Sequence, residues 1–406
     1  MPKETGLNTI LPEGWSECRL GDLIEEYRVK STRQDQHMVL TSSRSGLVPQ
    51  SEYYGGGRIA SRDNVGFHVI PPNYLTYRSR SDDGNFFINI NDLDRFGIVS
   101  HFYPVFRFKD GDDMFFVEYL NHNRAKLGVH SVGSSQKVLS LNALREIVFP
   151  LPPRSERLKI SEILRTWDEA IAVERALISN ARAQKKALVQ SLLTGKKRLP
   201  GFSGEWRVRK LGDLADLFAG GTPSTGTPEY WGGEIPWMSS GEINLREIYA
   251  VQGRVSESGL ANSSAKMVPA NSVLIALAGQ GATRGKVAIS RIPLSTNQSV
   301  AAAVPSDGLD PDYLFHNLDS RYEELRSLSL GDGGRGGLNL PLLRSVSIPV
   351  PAIEEQRGIA AILHCADQQI AALASKVTAL RKEKSALMQQ LLTGKRRVKL
   401  GQREAA

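Results

Sequence analysis

Pro150-Leu151-Pro152-Pro153 opens, and Leu192-Leu193-Thr194-Gly195-Lys196 closes, a stretch whose apolar residues recur in steps of four and three. The stretch occurs twice. Advancing by 199 residues, Pro349, Pro351, Glu355, Ile359, Leu363, Asp367, Ile370, Lys384, Leu387 and Leu391 to Lys395 match Pro150, Pro152, Glu156, Ile160, Leu164, Asp168, Ile171, Lys185, Leu188 and Leu192 to Lys196. Proline lacks a backbone N–H and disfavours helix in the residue before it, so each helix is expected to start just after the prolines. Gly195 and Gly394 are its expected stops. Ile160, Leu164, Trp167, Ile171, Glu174, Ile178, Ala181, Lys185, Leu188 and Leu192 have the spacing of a coiled-coil seam. The second seam is Ile359, Leu363, Ala366, Ile370, Leu373, Val377, Leu380, Lys384, Leu387 and Leu391. At about 1.5 Å per residue, a helix from 156 to 193 is a rod of roughly 57 Å.

Working outward, the repeat covers nearly everything. Trp15 with Leu20-Gly21-Asp22-Leu23 returns as Trp206 with Leu211-Gly212-Asp213-Leu214, and Val69 to Asn73 returns as Met267 to Asn271. The second copy gains most of its extra residues in the Gly/Pro-rich stretch before Met267. Residues 1–11 read as a loose leader. Short β-rich runs at Tyr74 to Tyr77, Gly97 to Phe108, Ser272 to Ala278 and Lys286 to Ile289 are separated by Gly, Pro, Asn and Asp clusters, and helical patterns fit Met114 to Ala125 and Pro311 to Leu325. The expected class is α+β: two pseudo-symmetric globular domains, each followed by a long helix. The division is 1–150, first globular domain; 151–199, first long helix; 200–349, second globular domain; 350–398, second long helix; 399–406, a tail. The tail repeats the basic linker Lys196 to Arg198 and is expected to turn back toward the N-terminus.

Composition narrows the compartment more than the activity. Fifty-one Lys and Arg against 43 Asp and Glu leave a net charge of +8 in 406 residues, a mild attraction for a polyanion. Cys18 and Cys365 form no CxxC or Cys/His cluster, so neither a disulfide framework nor a zinc site is expected. The N-terminus lacks the apolar core of a signal peptide and no run of 18 apolar residues occurs. A cytoplasmic protein with no membrane partner is the expectation.

The catalytic motifs fail on inspection. Pro71-Pro72-Asn73-Tyr74 scrambles the Asn/Asp-Pro-Pro-aromatic site of an amino-methyltransferase. Gly279 to Val287 approximates a phosphate-binding loop but has Val287 where a magnesium-holding Ser or Thr is needed. Gly331, Gly333 and Gly336 satisfy GxGxxG, yet Leu340-Pro341 follows instead of a helix. Pro311-Asp312 is not followed by the Lys a nuclease motif requires, and the histidines form no HxxxH or HxH pair. No metal and no catalysis are expected in this chain.

What remains is a set of polar and basic loops of the kind that contact DNA. In the first half these are Tyr53, Tyr54 and Arg58; Tyr77, Arg78, Ser79 and Arg80; and Ser134, Ser135, Gln136 and Lys137. In the second they are Thr222, Ser224, Trp237, Ser239, Ser240, Thr283, Arg284, Lys286, Asn297, Gln298 and Arg335. Arg and Lys bind phosphates or guanine edges, while Asn and Gln read adenine.

Gly220-Gly221-Thr222-Pro223-Ser224, Tyr230 to Trp237, Gly285 to Ile289, Thr296-Asn297-Gln298 and Ile348 to Pro351 with Glu355-Gln356 resemble the specificity subunit of Type I restriction-modification enzymes. The resemblance covers essentially the whole chain. It implies two target recognition domains, each reading one half of a bipartite double-stranded DNA site, joined by two long helices packed as an antiparallel coiled coil. It also implies docking of two methyltransferase subunits and of restriction (motor-nuclease) subunits in phage defence, with S-adenosylmethionine, ATP and Mg on those partners and no cofactor here. The first half departs from the pattern: Val29-Lys30-Ser31-Thr32 stands for Gly220 to Pro223, Gly97 to Ser100 for Leu294 to Asn297, and Glu156-Arg157 for Glu355-Gln356. Unlike half-sites are the implication. A stand-alone DNA-acting enzyme such as a nuclease, or a coiled-coil scaffold without a DNA role, is the competing reading.

One geometric expectation concerns the seam. If the helices pack antiparallel with ends level, Asp168 comes within reach of Lys384, and Asp367 within reach of Lys185.

Overall fold

The computed structural model describes residues 11–55, 63–279, 282–328 and 337–400, so most of the expected leader lies outside it. Contacts divide the chain into two compact units, Met1–Glu174 with Lys376–Ala406, and Arg175–Ser375. Each unit holds one globular part, the start of one long helix and the end of the other.

The long helices run over Arg154–Leu192 and Ile353–Leu391, 39 residues each. Both start directly after their prolines. Both end against a glycine with φ near +70°, Gly195 and Gly394, the left-handed conformation that a side chain disfavours. Much of each seam is withdrawn from solvent: Ile160, Leu164, Ile171, Ala181 and Leu192 are buried, as are Ile359, Leu363, Val377 and Leu391, and Trp167, Ile178, Ile370 and Leu373 are half-buried. Glu174 is also buried in the seam and pairs with Lys376 of the same unit. In the first unit Glu156, Asp168 and Glu174 bond Arg397, Lys384 and Lys376 in that order. Numbers rise on one helix as they fall on the other, so the helices form an antiparallel coiled coil.

The globular parts share a topology. The first has a four-stranded sheet in the order Ile24–Glu26, Val105–Phe108, Leu75–Tyr77, Ile88–Ile90, and another in the order Gly46–Pro49, Met38–Ser43, Gly97–Val99, His68–Ile70. The second repeats the first sheet as Ala215–Ala219, Val300–Pro305, Val273–Ala276, Val287–Ser290, and adds Glu247–Ile248. It repeats the other sheet as Gly253–Val255, Trp231–Met238, Leu294–Thr296, Met267–Val268. In both, one pair inside the second sheet is parallel, Met38–Ser43 with Gly97–Val99 and Trp231–Met238 with Leu294–Thr296.

Some elements are shorter than the sequence predicts. Gly97 to Phe108 is two strands, because Tyr103 N–H turns back to the Ser100 carbonyl ahead of Pro104. Met114 to Ala125 is broken into Asp113–His122 and Arg124–Val129, where the Asn123 amide donates to the Tyr119 carbonyl. Pro311 to Leu325 is likewise Pro311–Asp319 and Tyr322–Leu328, with the Ser320 hydroxyl on the Asn317 carbonyl.

Each globular part is fused to its helix ends by a common core. Phe116, Tyr119, Phe149, Ile160, Leu164, Leu391 and Leu392 belong to one apolar cluster. In the second unit Tyr313, Leu314, Leu192, Leu193, Ile359 and Leu363 do. Each such side chain contributes roughly 1.5–3 kcal/mol on burial. The first and last strands of each part also pair, Ser16–Arg19 with Val148–Leu151 and Arg207–Lys210 with Ser347–Val350. That pairing brings Trp206 onto Glu355, which also takes two bonds from Arg198 at 2.7 and 2.8 Å. In the first unit Arg397 from the tail makes the matching pair of bonds to Glu156, at 2.7 and 2.8 Å, and donates to the Glu13 carbonyl. The tail therefore does turn back toward the N-terminal residues.

Candidate nucleic-acid interface

Strand register decides which loops share a location. In the second unit Ala219 pairs with Ala301 and Ala276 with Val300, so the chain leaves the sheet at the same end after Ala219, after Ala276 and before Val300. Those three exits are the loops that carry Gly220 to Ser224, Thr283 to Lys286 and Asn297-Gln298. The loops touch: Gly221 N–H donates to the Thr296 carbonyl at 2.8 Å, and Leu277 N–H to the Ser299 carbonyl at 2.8 Å. A Cβ on Gly220 would run into the carbonyls of Thr296 and Asn297, and one on Gly221 into the backbone of Ser264 and Ala265. Glycine is needed here for close approach of backbones.

On that frame the Thr222 hydroxyl donates to Gln298 Oε1 at 2.5 Å, and Trp237 Nε1 donates to the Gly221 carbonyl at 3.0 Å. Trp237 stands edge-to-face against Trp231, which bonds the carbonyl of exposed Ser224. Asn297 Oδ1 accepts from Ser299 N–H, so part of its amide is spent in the turn. Lys286 Nζ donates to Asn244 Oδ1 at 2.7 Å, which joins the hairpin tip holding Thr283 and Arg284 to the short helix Ser240–Leu245. Ser239 has a structural part to play. It forms a capping box with Glu242 at the head of that helix, Ser240 being the first residue, and its N–H donates to Glu242 Oε2 at 2.9 Å. Its first role is to end a strand and start a turn.

The first unit brings residues of all three of its loops together. Lys137 pairs with Ser81 and Val138 with Arg80 as a small ladder, and Gln136 Nε2 donates to Asp82 at 3.3 Å. Arg78 and Arg80 are exposed, with the Arg80 guanidinium 4.0 Å from the Phe102 ring centre, and Ser79 donates to the Phe102 carbonyl. Ser134 and Ser135 are exposed beside them. Tyr53 joins Arg78 and Arg80 on the wall of a concavity of about 180 Å³. Tyr54, edge-on to Tyr53, lines a neighbouring one of about 510 Å³ with Phe102. Tyr77 is a correction: it is fully buried, its hydroxyl bonds the Leu139 carbonyl at 3.0 Å, and burial pushes its phenol far up. It is a core residue and cannot reach a ligand. Arg58 and Arg335 lie outside the described residues.

The sequence reading missed Arg44, Asp83 and Phe102. Arg44 lies in the turn between Met38–Ser43 and Gly46–Pro49, on the same concavity, and its guanidinium is 2.5 Å from Asp83. Bonds from the Ser81 hydroxyl and Asn85 N–H, with Arg44 nearby, hold the Asp83 carboxyl well below the usual carboxylate range. The available signal was a lone Arg in a Ser/Gly turn, equal in kind to Ser239-Ser240-Gly241. Among the described residues no group of three or more His, Cys, Asp or Glu is placed to hold a metal, and no helix is long and apolar enough to cross a membrane.

Two like-folded domains that gather unlike polar loops at a sheet end, each fused to a coiled coil, define a duplicated, modular protein. The profile of the Type I restriction modification DNA specificity domain matches residues 12–181 and 203–380, and the chain belongs to that family. It is 34% identical over 176 residues to the Type I restriction enzyme MjaIX specificity subunit of Methanocaldococcus jannaschii, covering 41% of this chain and 39% of that one. It is 31% identical over 229 residues to the EcoR124I/EcoR124II specificity subunit of Escherichia coli, 54% of this chain and 55% of that one. These two alignments thus span only about half, or less, of those relatives' lengths. The MjaVIII specificity subunit of M. jannaschii aligns over 96% of this chain and 94% of its own at 24% identity. The fold is also that of the S subunit of the Type I restriction-modification system from M. genitalium, with a TM-score of 0.60 at 14% identity, over 98% of this chain and 99% of that one.

Proposed function

We propose that this chain is the DNA-reading subunit of its Type I restriction-modification enzyme, non-catalytic by itself, and that it binds an asymmetric bipartite site in double-stranded DNA. The observation that carries the reading is the convergence of unlike loop sets at equivalent sheet ends. Arg44, Arg78 and Arg80 with Tyr53 serve one half-site; Thr222, Trp237, Thr283, Lys286 and Gln298 serve the other. Arginine and lysine supply phosphate and guanine contacts, and amides supply adenine contacts. The coiled coil scaffolds two methyltransferase subunits and the restriction subunits, in the cytoplasm, and S-adenosylmethionine, ATP and Mg act on those partners.

Mapping methylated adenines in the host genome with this chain present and absent tests the reading. A single two-part motif should disappear with the chain. Exchange of Trp15 to Phe149 for another family member's first domain should then change one half of that motif; a change in both halves refutes independent reading. Turnover of DNA by the purified chain alone refutes the non-catalytic assignment.

A further inference from the structure

The two globular domains meet their helices at matching places with different chemistry. Arg157, the fourth residue of the first long helix, is buried, donates to Asp110 at 2.8 Å and to Asp112, and lies over the Phe116 ring. The Asp112 side chain is itself 0% exposed. Burial pushes that carboxyl up, and Arg157 opposes the rise. In the second unit the same helix position is Gln356, also 0% exposed. Its Oε1 accepts from Asp310 N–H at 2.9 Å, and its Nε2 donates to the carbonyls of Gly308 and Pro351 at 2.9 Å each. Asp307-Gly308 stands where the first domain has Asp110-Gly111, but Leu309 is inserted before Asp310, the counterpart of Asp112; Asp307 is exposed and the Asp310 carboxylate caps Tyr313 N–H instead of meeting the helix residue. One junction is ionic, with two carboxylates on one guanidinium; the other is an amide on backbone.

A second difference lies one step further in. Lys384 donates to Glu118 at 2.9 Å as well as to Asp168. The residue matching Glu118 is His316, buried, with Nδ1 4.0 Å from Asp367.

We propose that the junction is a key that assigns each globular domain to its own helix end, the inward-turned Asp110 and Asp112 carboxylates with Arg157 marking the first place, the backbone of Gly308 and Asp310 with Gln356 the second. A first domain copied into the second place would set Asp110 and Asp112 against an amide, leaving a buried carboxylate without a cation, which is the costly case for a buried pair. Glu118 would travel without penalty, since Lys185 offers the same ammonium that Lys384 does. Arg157 and Gln356 are therefore the discriminating positions. They are far in sequence from the base-reading loops, so the key acts whatever bases a domain reads.

The test is a full-length chain in which Trp206 to Ile348 is replaced by a second copy of Trp15 to Phe149, compared with the same chain carrying Gln356→Arg. The arginine variant should unfold about 10 °C higher. Equal midpoints overturn the proposal. Should neither chimera fold, the natural chain decides: Arg157→Gln should lower the midpoint by a similar amount and Arg157→Lys by less than half of it, and an Arg157→Gln midpoint within about 1 °C of the natural chain overturns the proposal.

Discussion

Lys384 holds Asp168 by both carboxylate oxygens, at 2.8 Å each, from an otherwise apolar seam position. The repeat reproduces the relationship as Lys185 on Asp367, at 2.5 and 2.6 Å. Both pairs form where level, antiparallel helices require. Each lysine is mostly buried, 13% and 15% exposed, while its partner stays partly wet, so the pair contributes little net stability and much register.

Charge reversal checks this. Lys384→Glu sets a third carboxylate beside Asp168 and Glu118 and should destabilise the first unit by about 2–4 kcal/mol. Adding Asp168→Lys should recover at least half of the loss in urea unfolding. Additive losses in that double-mutant cycle would show that the side chains do not interact.

The tail is structural. Arg397→Ala removes the partner of buried Glu156 and should cost about 1–3 kcal/mol, read as a lower urea midpoint of the first unit. Arg198→Ala should likewise lower the urea midpoint of the second unit, through Glu355.

His316 makes the second unit acid-sensitive. Burial, with Lys185 adding to it, pushes its pKa down to about 4 from 6.5. The unfolded chain therefore binds the proton first, and stability falls as pH drops from about 6.5 towards 4. His316→Gln should flatten that part of the stability–pH curve of the second unit. An unchanged slope would mean the ring is solvated in the folded state.

The proposed DNA reading assigns different outcomes to exposed and buried side chains of the candidate interface. Arg80→Ala should weaken DNA binding and reduce the slope of log affinity against log salt by about one. Gln298→Ala should relax discrimination at one base of the other half-site by about 1–3 kcal/mol, measured with base-substituted duplexes. Tyr77→Phe should leave affinity unchanged and cost about 1 kcal/mol of stability, through the lost bond to Leu139.

The parts legible from sequence were those written as a period. A step of four and three fixes which side of a helix is buried, and an exact internal repeat with opposed chain direction fixes which side chains face, so Asp168 and Lys384 could be paired from numbers alone. The sheet ends were not legible, because register between distant strands places loops together and leaves no local trace. Tyr77 was misread for a related reason: Tyr-Arg-Ser-Arg looks like a basic loop, but its first residue still belongs to the strand Leu75–Tyr77, with the ring turned into the core. Ser239 did carry a local trace. Ser-x-x-Glu over Ser239 to Glu242 is a capping-box spacing, and the structure uses it as one.

The contacts of Arg397 with Glu156 and Glu13 repeat those that Arg198 makes with Glu355 and Gly204, except that a covalent stretch bridges the second set. Leu199 still packs on the core of the second unit, but Pro200, Gly201, Ser203, Gly204 and Glu205 are exposed, so the peptide link from 200 to 205 is incidental to the packing around it. A gene reopened within that stretch, with a short linker joining residue 400 to residue 11, would encode the same contacts in a different reading order, and recombination could cut at either place without disturbing a core.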